Sequence, residues 1–187
     1  MREAMALTQR ANERMRRDLQ AAARVQKAFL PEAFPSFDHA SAAWIYRPCA
    51  ELGGDSLNVF PLGDSLIGMY VLDVSGHGVP ASLLSVALSR VLTPRRDVAC
   101  IFTSAGSSVV SPAEVASRLN HMFLTDSEAK QFFTLTYGVL DTKRHQFRYV
   151  CAGHPAPIHA SRSHSPVLHE ARNIPIGMFR ASCSTGE

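Results

Sequence analysis

The period of polar and apolar positions changes several times along this chain, and the changes fall at proline and glycine. MREAMALTQRANERMRRDLQAAARVQKAFL, the first thirty residues, holds no Gly or Pro and is rich in good helix formers, so it predicts one continuous helix. Pro31 stops it. Ala4, Thr8, Ala11, Met15, Asp18, Ala22, Val25 and Phe29 follow alternating steps of four and three, a coiled-coil seam interrupted by Thr8 and Asp18. The pattern fits two roles: a surface helix packed on its own domain, or a dimerising, signal-transmitting helix joined to an upstream domain.

Residues 32–41 read as a loop, and AAWIYRP, Ala42 to Pro48, as a strand. Ser65 to Val74 is apolar on both alternating faces, with Leu66, Tyr70 and Leu72 on one and Ile67, Met69 and Val71 on the other. That pattern predicts a strand covered on both sides. Val79 to Leu92 carries Leu84, Leu88, Val91 and Leu92 at helical spacing, with Pro80 in the first turn and Pro94 beyond the end. After a polar, small-residue stretch from Thr103, a second helix starts at a capping box of Ser111, Pro112 and Glu114, with Val115, Leu119, Met122 and Phe123 as its apolar face. Phe132–Asp141 and Gln146–Gly153 then read as an antiparallel hairpin joined by Thr142 to His145. The order of elements predicts an α+β layer fold with helices covering a sheet.

Charge and cysteine content narrow the class. The formal charge of +3 balances 19 basic against 16 acidic residues, too weak a bias to argue for nucleic acid. Cys49, Cys100, Cys151 and Cys183 are widely spaced, without the close pairs of a zinc site or the density of a disulfide scaffold. The N-terminus lacks the apolar core of a secretory leader, and no apolar run approaches the roughly 20 residues that span a bilayer. A soluble cytoplasmic protein is expected.

Charge that sits at strand ends carries the chemistry. Asp55 follows Gly53 and Gly54, and Asp73 ends an apolar strand before the tight turn Ser75, Gly76, His77, Gly78. Either aspartate alone would read as a turn cap. Together, brought close by neighbouring strands, two carboxylates repel unless a cation lies between them, and hard divalent ions such as Mg²⁺ or Mn²⁺ favour oxygen ligands. His77 fits a third ligand, a general acid or a plain turn residue, the last slightly favoured. His154 in AGHPAP reads as a loop residue near the site whose ring fixes neighbouring backbone. His145, His159, His164 and His169 show no ligand spacing. Ser75 beside His77 raises a serine hydrolase as a weaker rival, since the G-x-S-x-G elbow is absent.

ELGGD, DVSGHGVPASLL, FFTLTYGVLD, YVCAGHPAP and NIPIG occur in this order, preceded by a VQKAFLP helix end. The ordered set resembles the SpoIIE/RsbU-like branch of the PPM metal-dependent serine/threonine phosphatases, over about residues 20–179. The resemblance implies an αββα sandwich of two mainly antiparallel sheets flanked by helices, with two Mn²⁺ or Mg²⁺ ions. It also implies Asp55, Asp73 and the Val74 backbone carbonyl as metal ligands, with Gly54, Asn58, Ser75, Gly76, His77 and His154 as neighbours of the site. Asp55 and Asp73 are thereby the catalytic candidates, in a reaction where water attacks phosphoserine or phosphothreonine phosphorus in line. Residues 1–30 become a linker helix, 31–187 the phosphatase domain, and the whole the output of a bacterial response regulator. The implied substrate is a phosphorylated regulator such as an anti-sigma-factor antagonist.

Three departures matter. GGDSLN stands where many members read GGDFYD, so Asn58 replaces a carboxylate. Asp-Val-Ser stands where distant relatives have Asp-Gly-His, leaving their acid histidine without a counterpart here. Further aspartate-bearing motifs are expected after NIPIG, and ASCSTGE contains neither. The expectation is a C-terminally incomplete domain with weak or absent turnover, and a pseudophosphatase or interaction module is the competing reading.

Overall fold

The computed structural model describes residues 1–37, 40–48, 50–94, 101–103, 108–125, 131–169 and 173–178. Helix α1 spans Arg2–Lys27, and i→i+3 bonds from Phe29 N to Gln26 O and Leu30 N to Lys27 O tighten its exit. Strands β1 (Asp55–Pro61), β2 (Leu66–Val74), β3 (Phe133–Asp141) and β4 (Gln146–Ala152) form a four-stranded sheet in that order, every pair antiparallel. Between β2 and β3 run α2 (Val79–Val91) and α3 (Pro112–Thr125). Beyond β4, β5 (Ile158–His159) and β6 (Val167–Leu168) make a second, two-stranded sheet.

The core lies between one face of the large sheet and the two helices. Leu72, Leu135 and Tyr137 project from that face onto Leu88, Val115 and Leu119, all fully buried. Each such side chain contributes roughly 1.5–3 kcal/mol of apolar burial, which makes this layer the main source of stability. Phe102 joins it, its ring 5.0 Å from Phe60 and 5.3 Å from Tyr137. The expected cap of α3 is present, with Glu114 N donating to Ser111 Oγ at 3.2 Å. The hairpin turn is closed by the Asp141 carboxylate, which accepts from Lys143 N at 3.0 Å and Arg144 N at 2.9 Å.

Several expectations are corrected. Ala42 to Pro48 forms no ladder with any described strand, and Ile45 is 72% exposed. Apolar alternation gives a segment a face, but a strand also needs a neighbour for its N–H and C=O groups. β2 is not covered on both sides: Ile67 is buried, yet Val71 on the same face is 44% exposed. Met122, expected in the apolar face of α3, is exposed, and the fully buried Ala116 belongs to that face instead. The expected α+β layering stands: among the described residues helices cover one face of the four-stranded sheet, and a second sheet there has two strands. α1 does not lie down on the domain as a packed surface helix, since Met5, Leu7, Met15 and Val25 are all exposed. Cys151 is buried with a free thiol, and Cys49, Cys100 and Cys183 fall outside the described residues. Part of the polar stretch after Thr103 falls outside them too.

Candidate metal centre

The β1–β2 ladder places Asp55 directly opposite Asp73. Directly opposed residues share a face of an antiparallel sheet, so both carboxylates leave the face away from α2 and α3. Leu57, Val59, Met69 and Val71 continue that face toward the other end of the ladder. Both aspartates are solvent-exposed. Partial burial first, and the Asp73 charge second, push the Asp55 carboxyl above its ordinary value.

Gly54 holds the strands close at this point. A Cβ on Gly54 would lie 2.6 Å from the Val74 carbonyl oxygen and 3.1 Å from Asp73 Oδ1, whereas ordinary contact begins at 3.4 Å. Val74 N donates to Gly54 O at 3.3 Å across the same gap. The missing side chain leaves the Val74 carbonyl and the Asp73 carboxylate beside the backbone that carries Asp55. Two carboxylates and a carbonyl are hard oxygen donors, and their mutual repulsion is what a divalent cation would relieve, so this set fits Mn²⁺ or Mg²⁺ with water in the remaining positions. Among the described residues, no group of three or more His, Cys, Asp or Glu side chains is placed to hold a metal ion.

Two helices pin the loop that carries Asp55. Gln26, in the last turn of α1, donates Nε2 to Gly53 O at 2.6 Å and accepts from Gly53 N at 3.3 Å through Oε1. Ser85 of α2 donates to Asp55 O at 3.1 Å. Neither contact has a local sequence signature, because each joins residues 27 or 30 positions apart.

The other candidates separate by place. Ser75 Oγ accepts from Phe132 N at 3.2 Å while Ser75 N donates to Phe132 O at 2.9 Å, so this serine staples the turn to the start of β3. That commitment to backbone argues against a nucleophilic serine. Gly76 and Gly78 have φ of 92° and 76°, left-handed values that favour glycine on either side of His77. His77 itself is exposed. Asn58 pairs with Tyr70, one step out of phase with Asp55, and so sits on the opposite face from the carboxylates. Its Oδ1 accepts from Val59 N at 2.8 Å. His154 Nδ1 lies 2.7 Å from Thr134 Oγ1, and Thr134 is the cross-strand partner of Asp73. Burial lowers the His154 pKa, and the Asp73 charge partly offsets this. Gln26, Ser85 and Thr134 were not among the sequence candidates; of these, only Thr134 left a trace, as a polar position in the apolar alternation of FTLTYGV.

Residues 63–185 match the family model described as Stage II sporulation protein E (SpoIIE). The chain is 30% identical over 164 residues to the phosphoserine phosphatase RsbP of Bacillus subtilis (strain 168), covering 88% of this chain and 39% of that protein. To the phosphoserine phosphatase RsbU of the same organism it is 24% identical over 162 residues, covering 86% of this chain and 45% of that protein. This sequence therefore spans less than half the length of either relative. The solved SiaA-PP2C domain of Pseudomonas aeruginosa superimposes with a TM-score of 0.68 at 19% identity, over 89% of this chain and 64% of that one. That likeness shows a shared α+β fold of the PP2C, or PPM, type.

Proposed function

Since this chain belongs to the Stage II sporulation protein E (SpoIIE) family, we propose that it is a metal-dependent protein phosphatase module, hydrolysing phosphoserine or phosphothreonine on a bacterial regulatory protein. The observation that carries the reading is the direct pairing of Asp55 with Asp73 across a ladder that Gly54 keeps tight against Val74. In this reading Asp55 and Asp73 hold Mn²⁺ or Mg²⁺, with the Val74 carbonyl as a further ligand. Bound divalent cations supply Lewis acidity, neutralising phosphoryl oxygen charge and lowering the pKa of water. The protein's part is geometric: the β1–β2 register sets the spacing of the two carboxylates, Ser85 and Gln26 fix the backbone before and at Asp55, and Ser75 ties down the turn after Asp73.

The names of RsbP and RsbU support a phosphoserine substrate; the partner in this reading is a phosphorylated regulator such as an anti-sigma-factor antagonist. Residues 31–187 make up the phosphatase domain and 1–30 a linker helix. The exposed apolar positions of α1 suit pairing with a second copy, downstream of a receiver or other sensory domain. No helix among the described residues is long and apolar enough to cross a membrane, which is consistent with a cytoplasmic regulator.

Mn²⁺-dependent phosphate release from a phosphoserine peptide tests the proposal. Turnover is expected to be slow and to fall at least about 100-fold in Asp73→Asn, the loss that follows when a group essential to phosphoryl-charge stabilisation is removed. Turnover that is metal-independent, or indifferent to Asp73→Asn, refutes it. The presence of only two clustered carboxylates among the described residues favours a second reading, an interaction module without turnover. A phosphoprotein that binds but is not dephosphorylated under saturating Mn²⁺ would select that reading.

A further inference from the structure

We propose that His154 and Thr134 act together as positioning residues for Asp73, fixing the end of β2 for a divalent cation. The inference rests on the reading of Asp55 and Asp73 as cation ligands. Thr134 is the register partner of Asp73 in the β2–β3 ladder, so its side chain shares the open face with the two carboxylates. Its hydroxyl donates to the Asp73 carbonyl at 3.4 Å and lies 2.7 Å from His154 Nδ1. The hydroxyl has one proton and stands between the two groups, so the short contact to His154 and the longer one to Asp73 O are linked through it.

The imidazole is held from both sides of its own residue. Gly153, at φ 67°, lies so close to Pro175 that a Cβ there would be 2.6 Å from Pro175 Cγ. Gly153 N donates to Asn173 O at 2.9 Å, and Phe133 and Ile176 exchange backbone bonds of 3.1 and 2.9 Å next to it. On the other side, Thr136 Oγ1 donates to Pro155 O at 3.1 Å. AGHPAP and NIPIG thus build one clamp, and what the clamp presents to the sheet is the His154 ring at Thr134. The hydrophobic core lies on the opposite face of β3, under α2 and α3, so packing alone gives no account of a polar pair here. The pair meets the main-chain carbonyl of Asp73, so it acts on the carboxylate through the backbone at the end of β2, and losing a partner that orients a metal ligand costs about 10–100-fold in metal affinity.

Mn²⁺ binding by calorimetry, with the spectrum of bound Mn²⁺ by electron paramagnetic resonance, tests this on the full chain and on Asp73→Asn, His154→Ala, Thr134→Val, Thr134→Ser and the His154→Ala/Thr134→Val double variant. His154→Ala and Thr134→Val should each weaken Mn²⁺ binding by about 10-fold or more. The double variant should be no weaker than the worse single one, and Thr134→Ser, which keeps the hydroxyl, should restore affinity. Thr134→Val keeps the shape of the side chain and serves if His154→Ala does not fold. If Asp73→Asn abolishes binding while Thr134→Val and His154→Ala bind like the parent, this inference is overturned and the ligand assignment stands. If the parent binds no Mn²⁺, or Asp73→Asn binds as well as the parent, the ligand assignment fails and the inference with it.

Discussion

Replacing Gly54 by alanine adds a single methyl group where the residue before β1 meets the end of β2. The new carbon would sit about 0.8 Å inside the 3.4 Å limit of ordinary contact with the Val74 carbonyl, and inside it again with Val74 N and Asp73 Oδ1, both at 3.1 Å. Two of the three atoms are backbone in a paired ladder, so the strands themselves must part. Overpacking of this kind costs about 1–3 kcal/mol. Lengthening the 3.3 Å bond from Val74 N to Gly54 O adds about 1 kcal/mol, giving roughly 2–4 kcal/mol in all. Urea unfolding of the metal-free chain measures it, with Gly63→Ala as the control, because a Cβ at Gly63 meets nothing within 4 Å. Since the same separation moves Asp73 away from Asp55, Mn²⁺ affinity should fall as well. A Gly54→Ala protein within about 0.5 kcal/mol of the parent, the range of an ordinary surface change, would refute the account of the close approach.

Gln26→Ala removes both bonds to Gly53 and leaves a buried N–H and C=O without their partner, an expected loss of about 1–3 kcal/mol in urea unfolding, with faster amide exchange at Gly53. Unchanged exchange there would count against a pinning role for α1. The metal-free protein should also respond to pH through its two perturbed groups. Asp55 has a raised folded pKa, so its share of stability is present below the unfolded value of 3.8 and is lost as pH rises through the folded pKa. His154 has a lowered folded pKa, so its share is present above 6.5 and is lost as pH falls through the folded pKa. In Asp73→Asn, which removes the charge common to both, nuclear magnetic resonance titration should find both midpoints lower than in the parent. A midpoint that rises in either group would contradict the assigned cause.

Local signals in the sequence located most elements, and the chemistry of the candidate site was legible in part. Ser111 announced α3 because a cap acts within one turn, and the two alternating runs around Thr142 to His145 announced the hairpin because its turn is short. Asp55 and Asp73 could be suspected from their glycine-flanked strand ends, and the ladder pairs them directly. Ala42 to Pro48 misled because alternation reports a face and says nothing of a pairing partner. Val71 misled for a related reason: apolar residues on both sides of a strand state what could be covered, and among the described residues helices cover one side. Gln26 and Thr134 were silent because their roles are set by partners far away in sequence.

The direct opposition of Asp55 and Asp73 also ties the centre to the folding of one hairpin. Side chains alternate with a period of two, so a slip of one residue between β1 and β2 would set Asp73 against Gly54 or Ser56 and turn one carboxylate to the other face. A cation held by both aspartates can bind only the native alignment. Its binding free energy then adds to that alignment and to none of its competitors, growing with the free ion concentration. Metal supply would thus select between strand alignments during folding, before any substrate is present.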